Sequence, residues 1–248
     1  MHEIAALAYD PSAWAALITL IVLEVVLGVD NLVFVALLTN KLPEAIRARA
    51  RSVGLLLALV LRLALLGALV FMTGLTAPVL TVMGHGFSIR DLVMIAGGFF
   101  LLWKAVGEIH EHVDPEPDQK KTSGPVSTAF AIAIVQILLL DLVFSIDSIL
   151  TAVGMTNQLP IMFLAVTIAV LLMLVASGPL AAFIARNPTV VMLALSFLMM
   201  IGMVLIADGF GIEVPKTYIY VAMGFAGAVE LLNALARRAR RKRSPSTH

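Results

Sequence analysis

Long apolar stretches are the feature that most limits what this chain can fold into. The hydrocarbon core of a bilayer is about 30 Å thick and takes roughly 20 helical residues per crossing. We identify seven such stretches, with the approximate bounds 13–39, 52–73, 89–107, 127–153, 160–184, 189–208 and 217–236. Hydrophobic residues make up 60% of the 248 positions and charged residues only 13%, so too few polar side chains remain to cover a water-soluble core. The sequence therefore predicts an all-α polytopic membrane protein with about seven transmembrane helices.

The basic residues are unevenly distributed between the two sets of predicted loops. One set, together with the C-terminal segment, holds most of them: Lys41, Arg47, Arg49, Arg51, Lys120, Lys121, Arg186 and the run Arg237–Arg243. The other set holds only Arg90 and Lys216. Because cytoplasmic loops carry the excess of lysine and arginine, we expect the N-terminus outside and the C-terminus in the cytoplasm. We interpret the basic tail, about 237–248, as a topology and lipid anchor and not as a nucleic-acid patch.

Several functions are disfavoured by what the sequence lacks. It has no cysteine, which excludes disulfides, thiolate nucleophiles and cysteine metal ligands. It shows no nucleophile–base pair, phosphate loop or nucleotide motif, so we expect no enzyme activity, no bound cofactor and no ATP hydrolysis. The long polar break, about 108–125, is predicted to be a cytoplasmic linker within a single domain spanning 1–248. In it, Glu108, His110 and His112 form either a solvated helix end or a cytoplasmic metal-recruiting patch.

The fourth predicted span repeats part of the first. The stretch EVVLGVDN (Glu24–Asn31) aligns with DLVFSIDS (Asp141–Ser148) at an offset of 117 residues. Both copies read as an acid, five residues, an aspartate and a small polar residue. The same offset aligns two T-N-x-L-P segments, Thr39–Pro43 and Thr156–Pro160. So many coincidences at one offset indicate an internal repeat.

The second copy lies three spans after the first, with two spans between them, so the two copies cross the membrane in opposite directions. Transporters built from such inverted repeats bind their substrate between the halves, near the bilayer midplane. We assign repeat one to about 13–107 and repeat two to about 127–208. The seventh span, about 217–236, lies outside this 3+3 arrangement.

Four carboxylates and two further polar side chains are predicted to lie inside the membrane, where ionisable groups are costly and mark functional sites. They are Glu24, Asp30, Asn31, Asp141, Asp147 and Ser148. On a regular helix the two acids of one span differ by about 120° in direction. They either line a broad path at staggered depths or are brought together by a break or π-bulge near Gly28 and its counterpart Ser145. We favour the break, because broken helices at membrane depth are tolerated where they line a cavity.

Three interpretations of the acids remain open from the residues alone. Arg62 in the second span and Lys104 in the third are placed to form structural ion pairs with one acid each. A chain of carboxyl groups also serves as a proton relay. Carboxylate, amide and hydroxyl oxygens without cysteine or histidine suit a hard divalent cation such as manganese, magnesium or calcium. Because carboxyl ligands lose their protons on binding metal, exchange of protons for metal is a natural coupling.

The acidic stretches, together with GGFFLLWKAVGEIHEH (Gly97–His112) and YIYVAMGFAGAVELLN (Tyr218–Asn233), resemble the TerC family, in particular its short YgdQ-like branch without appended cytoplasmic domains. The resemblance covers nearly the whole chain. It implies a seven-span protein of the bacterial inner membrane, with manganese export in characterised members and an association with tellurite resistance. It further implies metal coordination by four acids with two polar side chains beside them: Glu24, Asp30, Asp141 and Asp147, with Asn31 and Ser148.

Three further charged residues are candidates for counter-charge or gating. Arg62 is the basic residue deepest in a span, and we expect it to pair with the acids and to compete with the metal for their oxygens. We expect a lysine there to keep much of the function, because charge matters more than fork geometry. Lys104 and Asp208 occupy comparable positions in the third and sixth spans. They either form an ion pair between the repeats or extend separately to the membrane interface.

Two classes of function follow from these patterns. The first is an inner-membrane exporter of a divalent cation, most of all Mn²⁺, that works by proton-coupled alternating access. Its partners would be the cation, protons as the coupling ion and the surrounding membrane lipids. The second is a non-transporting membrane factor of assembly or stress resistance, in which the polar core organises partner proteins. The symmetric acid pairs favour transport, because a scaffold does not need them.

Overall fold

The computed structural model of the chain describes residues 10–69, 78–82, 85–114, 126–156, 158–212 and 214–243. Within the helices some side chains, among them those of Asp30 and Asp147, also lie outside this description. The described residues form seven helices and one two-stranded hairpin. In chain order these elements are α1 (Pro11–Asn40), α2 (Glu44–Leu69), β1 (Pro78–Val82), β2 (His85–Ser88), α3 (Ile89–Val113), α4 (Val126–Met155), α5 (Leu159–Ala185), α6 (Pro188–Gly209) and α7 (Lys216–Arg243).

Six of the described helices, α1 to α6, are long and apolar enough to cross a membrane. The prediction of an all-helical polytopic membrane protein is confirmed. The last helix, α7, has 28 residues and is not among these six. A seventh crossing by α7 stays a prediction.

The helix starts follow from the residues beside them. The Asp10 carboxylate accepts a hydrogen bond from the Ser12 backbone N–H at 2.9 Å, and a proline occupies the first turn of α1. Ser88 and Asp91 form a capping box at α3: Ser88 Oγ accepts from Asp91 N at 3.2 Å, and Asp91 Oδ2 accepts from Ser88 N at 2.9 Å. Such caps satisfy backbone N–H groups that have no partner within the helix.

Two helices extend beyond the apolar stretches that the sequence predicts to cross the membrane. The second helix begins at Glu44, so the arginines expected in the loop before residue 52 lie in its first turns. The third extends to Val113, so the first residues of the expected linker 108–125 are helical. Lysine, arginine and glutamate are good helix formers, so a helix continues past the end of its apolar stretch.

Two groups of three helices pack against each other around a common core. The helix α1 packs on α5, α2 on α4, and α3 on α6. Exchanging α1–α3 with α4–α6 maps these contacts onto one another, as a 3+3 repeat requires, and the inverted two-fold relation itself stays a prediction. The central apolar cluster draws buried side chains from all six helices, among them Phe34, Leu55, Leu101, Val143, Met173 and Leu198.

Glycines allow α3 and α6 to approach closely. A Cβ added at Gly98 would lie 2.6 Å from the Gly202 carbonyl oxygen, and one added at Gly209 would lie 2.9 Å from the Asp91 carbonyl oxygen. These two contacts also show that α3 and α6 run antiparallel. Small residues at membrane helix interfaces let the backbones gain direct van der Waals contact, which replaces the hydrophobic effect as a driving force there.

The break expected near Gly28 and Ser145 is wrong, because α1 and α4 are continuous α-helices of 30 residues each. Gly28 serves close packing instead, since a Cβ there would lie 2.5 Å from the Met173 sulfur of α5. Ser145 is buried, and its hydroxyl is hydrogen-bonded to side chains. Polar residues are therefore brought together by contacts between helices and not by a break within one.

A hairpin of β1 and β2 precedes α3 and was not expected from the sequence. The strands are antiparallel, with Thr81 opposite Gly86. Phe87 packs edge-on against Phe210, which follows α6, with ring centroids 5.9 Å apart. The hairpin thus lies against the end of the α3–α6 pair. Its strands are too short to appear among helix-length apolar stretches.

Gly98→Ala tests the close packing of α3 on α6. The added methyl group would overlap the Gly202 carbonyl oxygen, so we expect a loss of about 1–3 kcal/mol of stability, the usual cost of overpacking. Gly107→Ala on the same helix is the matched control, because a Cβ there meets no atom within 4 Å. Thermal unfolding of both variants and the parent in detergent is the measurement. Equal melting temperatures for all three proteins would contradict the packing described here.

Candidate functional site

One arginine and two carboxylates lie buried near the middle of the bundle. Glu24 and Asp141 lie close to the midpoints of α1 and α4, and Arg62 lies on α2. Their residues are 1%, 9% and 2% exposed, respectively. Such exposure is unusual for charged residues unless they are paired. The structure thus brings together three of the residues that the sequence singled out.

Arg62 uses its whole guanidinium group to hold both acids. Its Nη1 donates to Glu24 Oε2 at 2.6 Å, and its Nη2 donates to Asp141 Oδ1 at 2.7 Å. Its Nε donates to the Ser145 hydroxyl at 3.0 Å, and that hydroxyl donates to Asp141 Oδ2 at 3.1 Å. A planar guanidinium presents these donors in a fixed fork, which an ammonium group does not. A lysine at this position would keep the charge but lose the fork, and the expectation that it keeps much of the function stays a prediction.

Ser145 is a residue of the site that the sequence analysis considered only as the counterpart of Gly28. It is fully buried and contacts both Arg62 and Asp141. Its spacing from Asp141 could have indicated this role, because residues four apart on a helix lie on the same face.

The charges of this group do not cancel. With both acids ionised, two carboxylates face one guanidinium, which leaves one net negative charge. Removing charge from water is costly, and attraction within the group offsets that cost only with good geometry. A net negative charge enclosed by apolar side chains favours the uptake of a cation or a proton.

Glu24 and Asp141 occupy the same position in the two copies of the repeat, so Arg62 joins the two halves of the chain. At the same offset of 117 residues, the position of Arg62 corresponds to Pro179. Pro179 lies inside α5 and carries no charge. The site therefore combines two symmetric acids with one cation that has no counterpart.

Two oxygens beside the charged group are buried and have no hydrogen-bond partner among the described residues: Glu24 Oε1 and Asn31 Oδ1. Asn31 and Asp141 line a cavity of about 20 Å³ between α1, α2 and α4, which suffices for one water molecule. Ser148, the counterpart of Asn31, lies beside the Glu24 carboxyl and donates to the Ser145 carbonyl oxygen at 3.3 Å. Buried polar atoms without partners are candidates for ligand binding.

The side chains of Asp30 and Asp147 lie outside the described part of the structure, although both residues are in helices, next to Asn31 on α1 and Ser148 on α4. Among the side chains that are described, no three histidine, aspartate or glutamate residues are close enough to hold a metal ion. Glu24 and Asp141 bind Arg62 in this structure, and metal coordination by the four acids stays a prediction.

The ion pair considered between Lys104 and Asp208 is wrong. Lys104 Nζ lies 2.8 Å from Glu108 Oε1, one turn along the same helix. Asp208 accepts a hydrogen bond from the Val214 backbone N–H at 3.1 Å and so closes the turn that follows α6. Because Gly209 packs against Asp91 at the start of α3, Asp208 and Lys104 lie about 20 Å apart along the helix axis.

A second group of charges ties the end of α1 to the end of α3. Lys41 Nζ lies 2.6 Å from Glu108 Oε2 and 2.5 Å from Glu111 Oε2, and Glu108 also binds Lys104. Burial lowers the pKa of Lys41, but the hydrogen bonds to Glu108 and Glu111 outweigh burial, so its pKa lies above the ordinary value. Lys41 is therefore charged at neutral pH.

This second group changes the interpretation of the Glu108–His112 segment. Glu108 is only 5% exposed and lies between two lysines, so it is neither solvated nor free to bind a metal ion. His112 is exposed, in agreement with a solvated helix end. The Lys104–Glu108 pair could have been predicted from the sequence, because the two residues are four apart on one helix. The pairs with Lys41 could not.

Six apolar helices around a buried charged group define a polytopic α-helical membrane protein with a polar site at its centre, an arrangement typical of transporters. The family model described as "Integral membrane protein TerC family" matches residues 9–245, and the chain belongs to this family. The resemblance inferred from the acidic stretches is confirmed.

Several inner membrane proteins of Escherichia coli K12 are similar to this chain. UPF0053 inner membrane protein YgdQ is 50% identical over 236 residues, covering 95% of this chain and 97% of YgdQ. UPF0053 inner membrane protein YoaE is 52% identical over 229 residues, covering 92% of this chain but 44% of YoaE, so the chain spans less than half of that relative. No solved structure matches the chain. We conclude that it is a multi-pass inner-membrane protein, and the orientation of its termini stays a prediction.

Arg62→Leu tests whether the charged group is held together as described. Removing one partner of a buried ion pair typically costs about 3–5 kcal/mol, because uncompensated charge is left behind. We expect Arg62→Lys to recover only part of this loss, since one ammonium cannot reproduce the three hydrogen bonds of Arg62. The triple variant Arg62→Leu, Glu24→Gln, Asp141→Asn removes all three charges and should recover most of it. The measurement is the melting temperature of each variant in detergent that contains a chelator. A triple variant no more stable than Arg62→Leu would contradict the charge argument.

Proposed function

We propose that this protein exports a divalent metal cation, Mn²⁺ in the first place, across the inner membrane by proton-coupled alternating access. The observation that carries the proposal is the buried group in which Arg62 holds the repeat-related acids Glu24 and Asp141. Ionisable groups at membrane depth are expensive and mark the pathways of ions and protons. Membership of the TerC family agrees with this proposal, although the names of the relatives state only an inner membrane protein.

Arg62 acts in this mechanism as the cation that occupies the acids when no metal is bound. Glu24 and Asp141 each give it one oxygen, at 2.6 and 2.7 Å. A metal ion that uses those oxygens has to displace the guanidinium group. The next acids along the two helices, Asp30 and Asp147, would balance the additional positive charge.

The oxygen donors present are those that hard divalent cations take. Carboxylate, amide and hydroxyl oxygens bind manganese, magnesium and calcium, whereas softer metals favour sulfur and imidazole. Glu24 Oε1 and Asn31 Oδ1 are buried without hydrogen-bond partners among the described residues, so binding an ion there would satisfy them. The sequence has no cysteine, and no histidine lies on α1, α2 or α4.

Apolar layers separate the charged group from both membrane surfaces. Leu20 and Leu66 belong to a buried cluster on one side, and Leu32 and Leu55 belong to the central cluster on the other. A bound ion would be enclosed, so its release requires the helices to move, as in alternating access. After release the acids regain their net negative charge, and uptake of a proton offsets it. Because metal binding expels that proton, a proton gradient can drive metal export.

Asp30→Asn and Asp147→Asn test metal binding by the acids. A ligand that binds only the folded protein stabilises it, by about 2.7 kcal/mol at 100 times its Kd. We expect Mn²⁺ to raise the melting temperature of the parent and to lose this effect in both variants. Without metal, both variants should be at least as stable as the parent, because each lacks one charge that the sequence places inside the membrane. Asp114→Asn, at the exposed end of α3, is the control, and equal Mn²⁺-induced shifts in all four proteins would exclude these two acids as ligands.

Arg62→Gln tests the exchange of arginine for metal. Without Arg62 nothing competes for Glu24 and Asp141, so we expect Mn²⁺ to bind at least about tenfold more tightly, a gain of 1.4 kcal/mol. Export should be slower, because no internal cation replaces the departing ion. Calorimetry gives the affinity, and Mn²⁺ flux into proteoliposomes under a pH gradient gives the rate.

Two results of this experiment would argue against the mechanism. If Arg62→Gln binds and transports Mn²⁺ like the parent, Arg62 is only a structural anchor. If the parent itself moves no Mn²⁺, Mg²⁺ or Ca²⁺ under any pH gradient, transport is excluded in favour of a non-transporting membrane factor.

A further inference from the structure

A second cavity lies between α1, α6 and α7, apart from the charged site. Its volume is about 130 Å³. Its walls are apolar and include Val33, Phe34, Leu37, Ala194, Phe197 and Met223. Pockets for drug-sized solutes are several times larger, but apolar cavities of about 150 Å³ hold a small hydrocarbon molecule. Val33, Leu37 and Met223 are only half-buried, so the cavity opens to the surface of the bundle.

The cavity extends from one end of the bundle toward the membrane interior. Its α6 wall runs from Val190, in the first turn of the helix, to Leu198, a distance of about 12 Å along the axis. At the end near Val190, the Thr189 hydroxyl donates to Glu230 Oε1 at 2.5 Å and joins α6 to α7. The cavity is therefore an apolar channel along membrane helices, with its polar boundary at one end.

Arginines lie at that same end of the bundle. Arg186 is exposed and caps α5, two residues before α6 begins. The run Arg237–Arg243 occupies the last turns of α7, about 10 Å or more beyond Glu230. Arginines at the ends of membrane helices lie near the lipid phosphates and attract anionic headgroups. An apolar channel that begins below such arginines has the layout of a phospholipid, with charge at one end and hydrocarbon below.

We propose that this cavity binds one acyl chain of an anionic phospholipid, whose headgroup lies at the end of the bundle that carries Arg186 and the last turns of α7. The helix α7 packs mainly on α6, which leaves its side toward α1 for the lipid. The bound chain fills the space between α1 and α7 and holds α7 against the bundle.

Phe34 connects this lipid site with the charged site. It is 3% exposed, and it lines both the apolar cavity and the small polar cavity that contains Asn31 and Asp141. An acyl chain in the first cavity packs against the wall that closes the second. Lipid binding therefore holds that wall in place, and its consequence for ion binding rests on the proposed function.

Fluorescence quenching tests the lipid site directly. The chain has no cysteine, so Met223→Cys attaches a single fluorophore beside the cavity, at a half-buried residue of its α7 wall. Phe225→Cys, at a residue that is 73% exposed, attaches one on the outer face of α7. Both proteins are reconstituted in phosphatidylcholine with a small fraction of phosphatidylglycerol that carries brominated acyl chains. With brominated phosphatidylglycerol, we expect quenching at position 223 to exceed quenching at position 225 several-fold. At position 223, we also expect brominated phosphatidylglycerol to quench more than the same fraction of brominated phosphatidylcholine. Equal quenching at both positions, or by both lipids, would overturn the proposal.

A cavity-filling variant provides an independent test. Added phosphatidylglycerol should raise the melting temperature of the delipidated parent by several degrees, and Ala194→Leu should abolish this shift. Ala182→Leu, at an exposed position of α5, is the matched control and should keep it. If Ala194→Leu does not fold, the quenching experiment decides. Disulfide-linked dimers of Met223→Cys that form equally in every lipid would show a second copy in the cavity and overturn the proposal.

These assays contain no metal ion, so they hold whether or not the protein transports one. The connection through Phe34 is tested separately, by comparing the Mn²⁺-induced melting shift in phosphatidylglycerol and in phosphatidylcholine. We expect the larger shift in phosphatidylglycerol. Equal non-zero shifts would overturn the connection while leaving the lipid site intact, whereas no shift in either lipid would count against Mn²⁺ binding itself.

Discussion

Charge placed where water is excluded is the constraint on which the rest of this structure depends. Arg62 lies at the centre of an apolar bundle because Glu24 and Asp141 meet its donors at 2.6 and 2.7 Å. Those acids come from α1 and α4, so one side chain on α2 joins both halves of the chain. The same enclosure that strengthens these bonds makes their net negative charge costly. The site is therefore stable as a structure and still favours an added cation or proton.

The two halves share their acids but differ in their basic residues. At the offset of 117 residues, Arg62 corresponds to Pro179 and Lys41 corresponds to Gln158. Lys41 joins the ends of α1 and α3 through Glu108, whereas the Gln158 Oε1 atom is buried without a hydrogen-bond partner among the described residues. The two ends of the bundle are thus closed by different interactions. The repeat is therefore asymmetric at its ends as well as at its centre.

The failed expectations share one physical cause. A break at Gly28 was inferred from glycine's freedom in its own helix, but the residue that explains it is Met173 on α5. The Lys104–Asp208 pair was inferred from similar positions in two spans, but antiparallel packing places these residues toward opposite ends. In both cases the deciding contact lies far away in the sequence. Backbone freedom and depth in a span are local properties, and they do not report which helix lies opposite.

The sequence by itself determined the class of protein, six helices long and apolar enough to cross the membrane, and the repeated acidic stretches. It also identified the polar residues that lie within those helices. Apolar length and helical spacing decide these features, and both depend only on neighbouring residues and on the bilayer as solvent. Only the tertiary structure decided the partner of each charge: Arg62 with both acids and Ser145, and Glu108 with two lysines. Ion pairs and hydrogen bonds form within about 3 Å. Contacts that precise depend on how closely the helices pack, for example where Gly98 contacts Gly202. The sequence of a single helix does not contain that information.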